Sequence, residues 1–154
     1  MLQVSNSSKI GRDFLVRRST LGKRFLGLAT PSDILVVDDS ADDATVLSLG
    51  LRILFGQSLT PRLAGSVGAM KAAVRQRLPD LIFLDDLIEQ SRAELSIPVL
   101  RSLGYDGPII VVSSLVTRMR LAELTRLGAV DVIHKDDLES SRLREAILKA
   151  LSVD

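Results

Sequence analysis

Residues 79–86 read Pro79-Asp80-Leu81-Ile82-Phe83-Leu84-Asp85-Asp86, a four-residue apolar run that opens after a proline and closes on two aspartates. A run of this length, bounded by turn residues, predicts a strand covered on both faces. The form recurs along the chain. Ile34-Leu35-Val36-Val37 ends on Asp38-Asp39, and Ile109-Ile110-Val111-Val112 follows Pro108 and ends on Ser113-Ser114. Val130-Asp131-Val132-Ile133 leads to Lys135.

Helical patterns fill the intervals. Residues 41–55 carry Ala44, Leu47, Leu51, Leu54 and Phe55 on one side. Val67, Met70 and Val74 form a shorter stripe behind Ser66, a suitable N-cap. Residues 115–127 stop at Gly128, suited to a left-handed helix end, and Leu143, Ala146, Ile147, Ala150 and Leu151 give a stripe without a gap. Strand and helix alternate, which predicts a parallel sheet with right-handed crossovers. The remaining strand must come from Leu59-Thr60-Pro61-Arg62-Leu63-Ala64, where the proline confines it to a sheet edge. The flavodoxin-like order 2-1-3-4-5 puts the second strand at an edge. The expectation is an α/β, flavodoxin-like (βα)5 doubly wound parallel sheet, with five strands and five helices over residues 33–152. Pro98 interrupts any helix starting near residue 90, so the third helix is expected to be short or irregular.

The chain has 154 residues, 46% hydrophobic and 25% charged, the size and composition of one globular domain. No apolar run approaches the roughly 18 residues a membrane span needs. With 0 Cys and 1 His there is no disulfide framework and no thiolate zinc site, a usage that fits a cytoplasmic setting. Aromatics at 3% are too few for stacking platforms along single-stranded nucleic acid, and nucleic acid is not an expected partner. The net charge of +1 hides an asymmetry: residues 1–30 hold six basic residues against Asp13 alone. Residues 1–32 are therefore expected to be a basic, disordered N-terminal extension, with the folded domain over 33–154.

Open parallel sheets bind ligands outside the carboxyl ends of their strands. There this sequence places Asp38 and Asp39, Asp85 and Asp86, Ser113 and Lys135. Clustered carboxylates repel one another unless a cation lies among them, and hard oxygen donors without His or Cys select Mg²⁺ or a similar ion. Solvated polar strand ends explain one such aspartate easily and the whole set poorly.

In order and spacing, Asp38-Asp39, the run Pro79 to Asp85, the run Pro108 to Ser114, and Gly128-Ala129 followed by Lys135 resemble the receiver domain of two-component response regulators, over about residues 33–152. The resemblance implies that Asp85 accepts a phosphoryl group from a histidine kinase or histidine phosphotransfer protein. It implies that Asp38, Asp39, Asp85 and the backbone carbonyl of Leu87 hold Mg²⁺, and that Ser113 and Lys135 engage the phosphoryl oxygens. Asp86 is the rival acceptor, disfavoured because a one-residue step turns a side chain to the other sheet face. As the pattern ends near residue 152, a stand-alone regulator that signals to a downstream protein by contact is expected, a signalling module rather than an enzyme.

The chain departs from the family at three places. The usual Met-Pro and Gly after the acceptor are replaced by Asp86-Leu87-Ile88-Glu89-Gln90-Ser91. Val132 stands where the family has its aromatic switch, and Asp136 stands where a proline follows the lysine. Asp136 is expected after a trans bond, forming a cap for the last helix with Glu139. Val132 and the altered segment after Asp85 support an alternative, a pseudo-receiver that binds partners independently of phosphate, against which stands the complete acidic set with Ser113 and Lys135. Walker A and G-x-G-x-x-G loops are absent, and the Asp-x-Asp of haloacid-dehalogenase-like phosphatases does not match Asp38-Asp39-Ser40. A second stripe on the first helix, Val46, Leu49 and Ile53, is expected to be partly exposed as a docking face for a helical kinase or phosphotransfer domain.

Overall fold

The computed structural model describes residues 31–152, so most of the basic stretch 1–32 lies outside the described residues. Strand β1 (Ile34–Val37) leads into helix α1 (Ala41–Phe55), β2 (Arg62–Ala64) into α2 (Val67–Gln76), and β3 (Leu81–Asp85) into two short strands, β4 (Leu87–Ile88) and β5 (Ser91–Arg92). Helix α3 (Ala93–Ser102), β6 (Ile109–Ser113), α4 (Arg118–Leu127), β7 (Asp131–His134) and α5 (Ser140–Leu151) complete the order. Five strands form one sheet in the order β2-β1-β3-β6-β7, and every neighbouring pair is parallel. This is the expected 2-1-3-4-5 topology, with the proline-bearing segment at the edge.

Alternation along the strands splits the core in two. Ile82, Leu84, Ile109, Val111 and Val132 face α2, α3 and α4, against Met70, Val74, Ile97, Leu100 and Leu124. Leu81, Phe83, Ile110, Val112 and Ile133 face α1 and α5, against Leu47, Leu51, Phe55, Leu143 and Ile147. Close approach of α1 to α5 depends on Gly50, where a Cβ would come within 2.6 Å of Leu143 Cδ1. Ser40 caps α1 by accepting from the Asp43 amide, and Ser66 caps α2 by accepting from that of Ala69. Gly128 ends α4 at φ 109°.

Three local expectations need correction. Helix α3 is not truncated by Pro98: it runs ten residues, as long as α2 and α4. Pro98 lies in its second turn, so only one interior backbone bond is lost. The five expected strands are joined by two more: the chain between β3 and α3 forms a small antiparallel pair, Leu87 opposite Arg92 and Ile88 opposite Ser91. The cap expected from Asp136 and Glu139 does not form. Glu139 occupies the N-cap position of α5 with no side-chain hydrogen bond, and the Asp136 amide donates to His134 Nδ1.

Candidate functional site

Ending β1 at Val37 carries the chain through Asp38 and Asp39 straight into the N-terminus of α1. Asp38 Oδ1 accepts from the Ser40 amide at 2.8 Å, which fixes that turn. Asp39 Oδ2 accepts from the Glu89 amide at 2.8 Å, tying the turn between β4 and β5 to the end of β1. Glu89 has φ 57°, a left-handed conformation that a non-glycine residue adopts at a cost. The position of its amide on Asp39 follows from that turn. Asp85 closes β3, is 5% exposed, and accepts from the Leu87 amide at 3.2 Å.

Carboxylate oxygens of Asp38, Asp39 and Asp85 all lie within 4.8 Å of one another, a cluster that could hold a metal ion. Opposite oxygens on one hard cation are separated by about 4–5 Å, so the all-oxygen set matches such an ion in spacing and chemistry. Lys135 supplies the positive charge beside it. Its Nζ is 2.8 Å from Asp43 Oδ2, 3.2 Å from Asp85 Oδ2 and 3.6 Å from Asp38 Oδ2.

Burial, followed by repulsion from Asp38, pushes the Asp85 carboxyl up to about 6, against the pull of the Leu87 amide and of Lys135. Burial works against the Lys135 ammonium, but Asp43, Asp85 and Asp38 outweigh it and raise its pKa. The acid is therefore poised near neutrality and the base is held charged.

Asp86 and Ser113 do not join this group. Asp86 follows Asp85 onto the other side of the sheet, where Arg120 of α4 grips it through Nε to Oδ2 at 3.0 Å and through Nη2 to Oδ1. Ser113 Oγ lies 3.1 Å from Asp86 Oδ2 and 3.0 Å from the Leu115 carbonyl, and accepts from the Leu115 amide. Strand register accounts for the split. Asp85 pairs with Val112, so Ser113 belongs to the alternate face with Val111 and Ile109.

Two residues that serve these groups escaped the sequence reading. Asp43 had a usable signal, three residues after the cap Ser40 and hence in the first turn of α1. Arg120 had none, because its partners Asp86 and Glu94 come from distant segments.

No protein-family profile and no curated protein matches the chain. Solved structures do. A chain of the CheX–CheY complex with BeF3 and Mg²⁺ from Borrelia burgdorferi superimposes with a TM-score of 0.68 at 15% identity, over 79% of this chain and 90% of that one. The receiver domain of the Francisella response regulator 1452 gives 0.65 at 18% identity, over 77% and 96%. This is the receiver-domain fold of response regulators. A Burkholderia pseudomallei response regulator, described with a phosphorylated aspartic acid, calcium ion and citrate, aligns to this chain at a TM-score of 0.63 and 21% identity, over 79% of this chain and 67% of that one. Among the described residues, no helix of the receiver is long and apolar enough to cross a membrane.

Proposed function

We propose that the chain is the receiver of a response regulator in a two-component phosphorelay, with Asp85 as phosphoacceptor. The observation that carries this reading is the position of the Asp85 carboxylate, within 3.2 Å of the Lys135 ammonium and beside the Asp38 and Asp39 carboxylates. An oxygen of Asp85 attacks the phosphorus of a phosphohistidine on a histidine kinase or histidine phosphotransfer protein. A P–O bond forms, the P–N bond breaks, and the electron pair leaves with the imidazole. Lys135 balances charge on the phosphoryl oxygens, and Asp43 and Asp38 hold its ammonium in place. Mg²⁺, held by Asp38, Asp39, Asp85 and the Leu87 carbonyl, would supply positive charge that brings the anionic groups together. The product acyl phosphate then signals to a downstream protein by contact. Residues 1–32 would be an extension preceding this domain.

Mass spectrometry after incubation with phosphoramidate or acetyl phosphate and Mg²⁺ tests the reading. One added phosphoryl group is expected, and none in Asp85→Asn. The alternative, a pseudo-receiver acting without phosphate, is favoured by the engagement of Ser113 with Asp86 and by the buried aliphatic Val132. An intact, folded chain that takes up no phosphoryl group from either donor would decide for it.

A further inference from the structure

We propose that Asp86 and Arg120 are positioning residues that set how readily Ser113 can serve Asp85, an inference that rests on the phosphoacceptor reading above. The Ser113 hydroxyl has one proton and two acceptors within reach, Asp86 Oδ2 at 3.1 Å and the Leu115 carbonyl at 3.0 Å. A carboxylate is the stronger acceptor. Asp86 cannot turn away, because Arg120 holds both of its oxygens, and Arg120 in turn donates to Glu94 of α3 at 2.6 and 2.8 Å and to Glu123 at 3.0 Å. Asp86, Ser113 and Arg120 are all buried, so water does not compete for the bonds among these three.

To donate to an oxygen on Asp85, Ser113 must give up a charge-assisted bond and turn out of the Asp86 side of the sheet. The strength of the Asp86 acceptor therefore governs the equilibrium between a Ser113 held on Asp86 and a Ser113 delivered to a phosphorylated Asp85. The exchange does not strand a buried charge, since Arg120 continues to neutralise Asp86. The polar chain from Ser113 through Asp86 and Arg120 reaches α4 and, through Glu94, α3.

A coupling experiment tests this with the phosphoryl mimic BeF3 and Mg²⁺, titrated by calorimetry into four proteins: wild type, Asp86→Asn, Ser113→Ala and the double variant. Asn is close in shape, is a neutral acceptor, and presents an amide that can donate to Ser113 Oγ, which frees the hydroxyl proton. Asp86→Asn is expected to bind the mimic about fivefold more tightly than wild type, the difference between a charged and a neutral acceptor. In the Ser113→Ala background the same substitution is expected to change affinity by less than about twofold, the ordinary limit of additivity. Should Asp86→Asn fail to fold by circular dichroism, Asp86→Ala carries the same expectation. Equal effects with and without Ser113, or unchanged affinity in both backgrounds, overturn the proposal and leave Asp86 as a partner of Arg120 alone. A wild-type chain that binds no mimic and takes up no phosphoryl group overturns the phosphoacceptor reading itself, and this inference with it.

Discussion

Asp85 and Asp86 are neighbours in the chain, are both nearly fully buried, and are held in different ways. Asp85 faces the α1 and α5 side, where it shares a single ammonium with Asp38 and Asp43. Negative charge is in excess there, and the Asp85 carboxyl is pushed up to about 6 by burial and by Asp38. Asp86 faces α4, where a guanidinium gives it a two-point contact and ties it to Glu94 and Glu123. Glu94 is lowered to about 2, chiefly by its bond to Arg120, and the Arg120 pKa is raised by the same contact. The first side leaves carboxylates whose charge a cation could balance. The second is closed on itself. A reactive carboxylate needs the first condition, and a structural one the second.

The contrast can be broken by substitution. Its largest expected effect is all-or-none: Asp85→Asn should abolish phosphoryl uptake from phosphoramidate, whereas Asp86→Asn should retain it, as read by intact-mass spectrometry. Loss in Asp86→Asn with uptake preserved in Asp85→Asn would reverse the assignment. Next comes stability. Arg120→Met leaves Asp86 buried without its counter-charge and should cost about 3–5 kcal/mol, a fall of roughly 10 °C in melting temperature. Lys135→Met should cost clearly less, since Asp85 can take up a proton and Asp43 is only partly buried. Equal losses for the two would erase the distinction between the sides.

A third test sharpens the comparison through pH. Asp85 goes from 3.8 in the unfolded chain to about 6 in the folded one, so between those values the folded state binds more protons. Its contribution to stability therefore falls as pH rises from about 4 through about 6. A cation that binds only the folded, ionised site reverses this loss. The rise in melting temperature produced by millimolar Mg²⁺ should be larger at pH 7.5 than at pH 5, and should vanish in Asp39→Ala. A shift of the same size at both pH values would place the ion elsewhere. The Asp33 and Asp131 carboxyls behave in the opposite sense. Burial raises them, but arginine partners outweigh it and hold them below the usual range, so their stabilisation is lost only at acid pH.

The smallest expected effect is on stability at the surface of α1, on the Asp85 side. Val46, Leu49 and Ile53 are 52%, 54% and 72% exposed, as the second stripe on that helix predicts. Leu49→Glu should change stability by less than about 0.5 kcal/mol and leave acetyl-phosphate labelling intact. If the stripe is the docking face, the same variant slows phosphotransfer from its partner kinase or phosphotransfer protein by about tenfold, or 1.4 kcal/mol. An unfolded variant would assign Leu49 to the core.

Much of the sheet was legible because apolar runs and their closing aspartates are local signals. The bounds of α1, the cap Ser66, the helix end Gly128 and the edge position of the Pro61 segment all follow from neighbours in sequence. Helix α4 begins at Arg118 rather than 115 because Thr117 caps it, accepting from the Arg120 amide. The β4–β5 pair was not legible: two-residue strands have no period, and its turn uses Glu89 where a glycine would be the usual signal. At the site, Asp38, Asp39, Asp85 and Lys135 meet as their strand-end positions suggest. The turning of Ser113 toward Asp86 was in principle readable from strand alternation, since Ser113 shares parity with Ile109 and Val111. Its partner Arg120 was not, because a long-range ion pair leaves no local pattern.

The all-parallel sheet has a consequence for how the chain reaches this structure. Ile34 meets Leu81 only across the whole of α1, β2 and α2, so no ladder in the main sheet closes through a tight hairpin. Chain closure is spent before ladder bonds return it, which slows assembly and leaves strand sequences waiting in the open. Ile34–Val37, Leu81–Leu84 and Ile109–Val112 are then short, uncharged and strongly β-forming, the composition of aggregating segments. Two of the three end in paired aspartates, whose charge opposes stacking of one chain on another. In the unfolded chain Asp38-Asp39 and Asp85-Asp86 act as gatekeepers, and neutralising them is expected to lower the yield of soluble protein even where the folded domain tolerates the change.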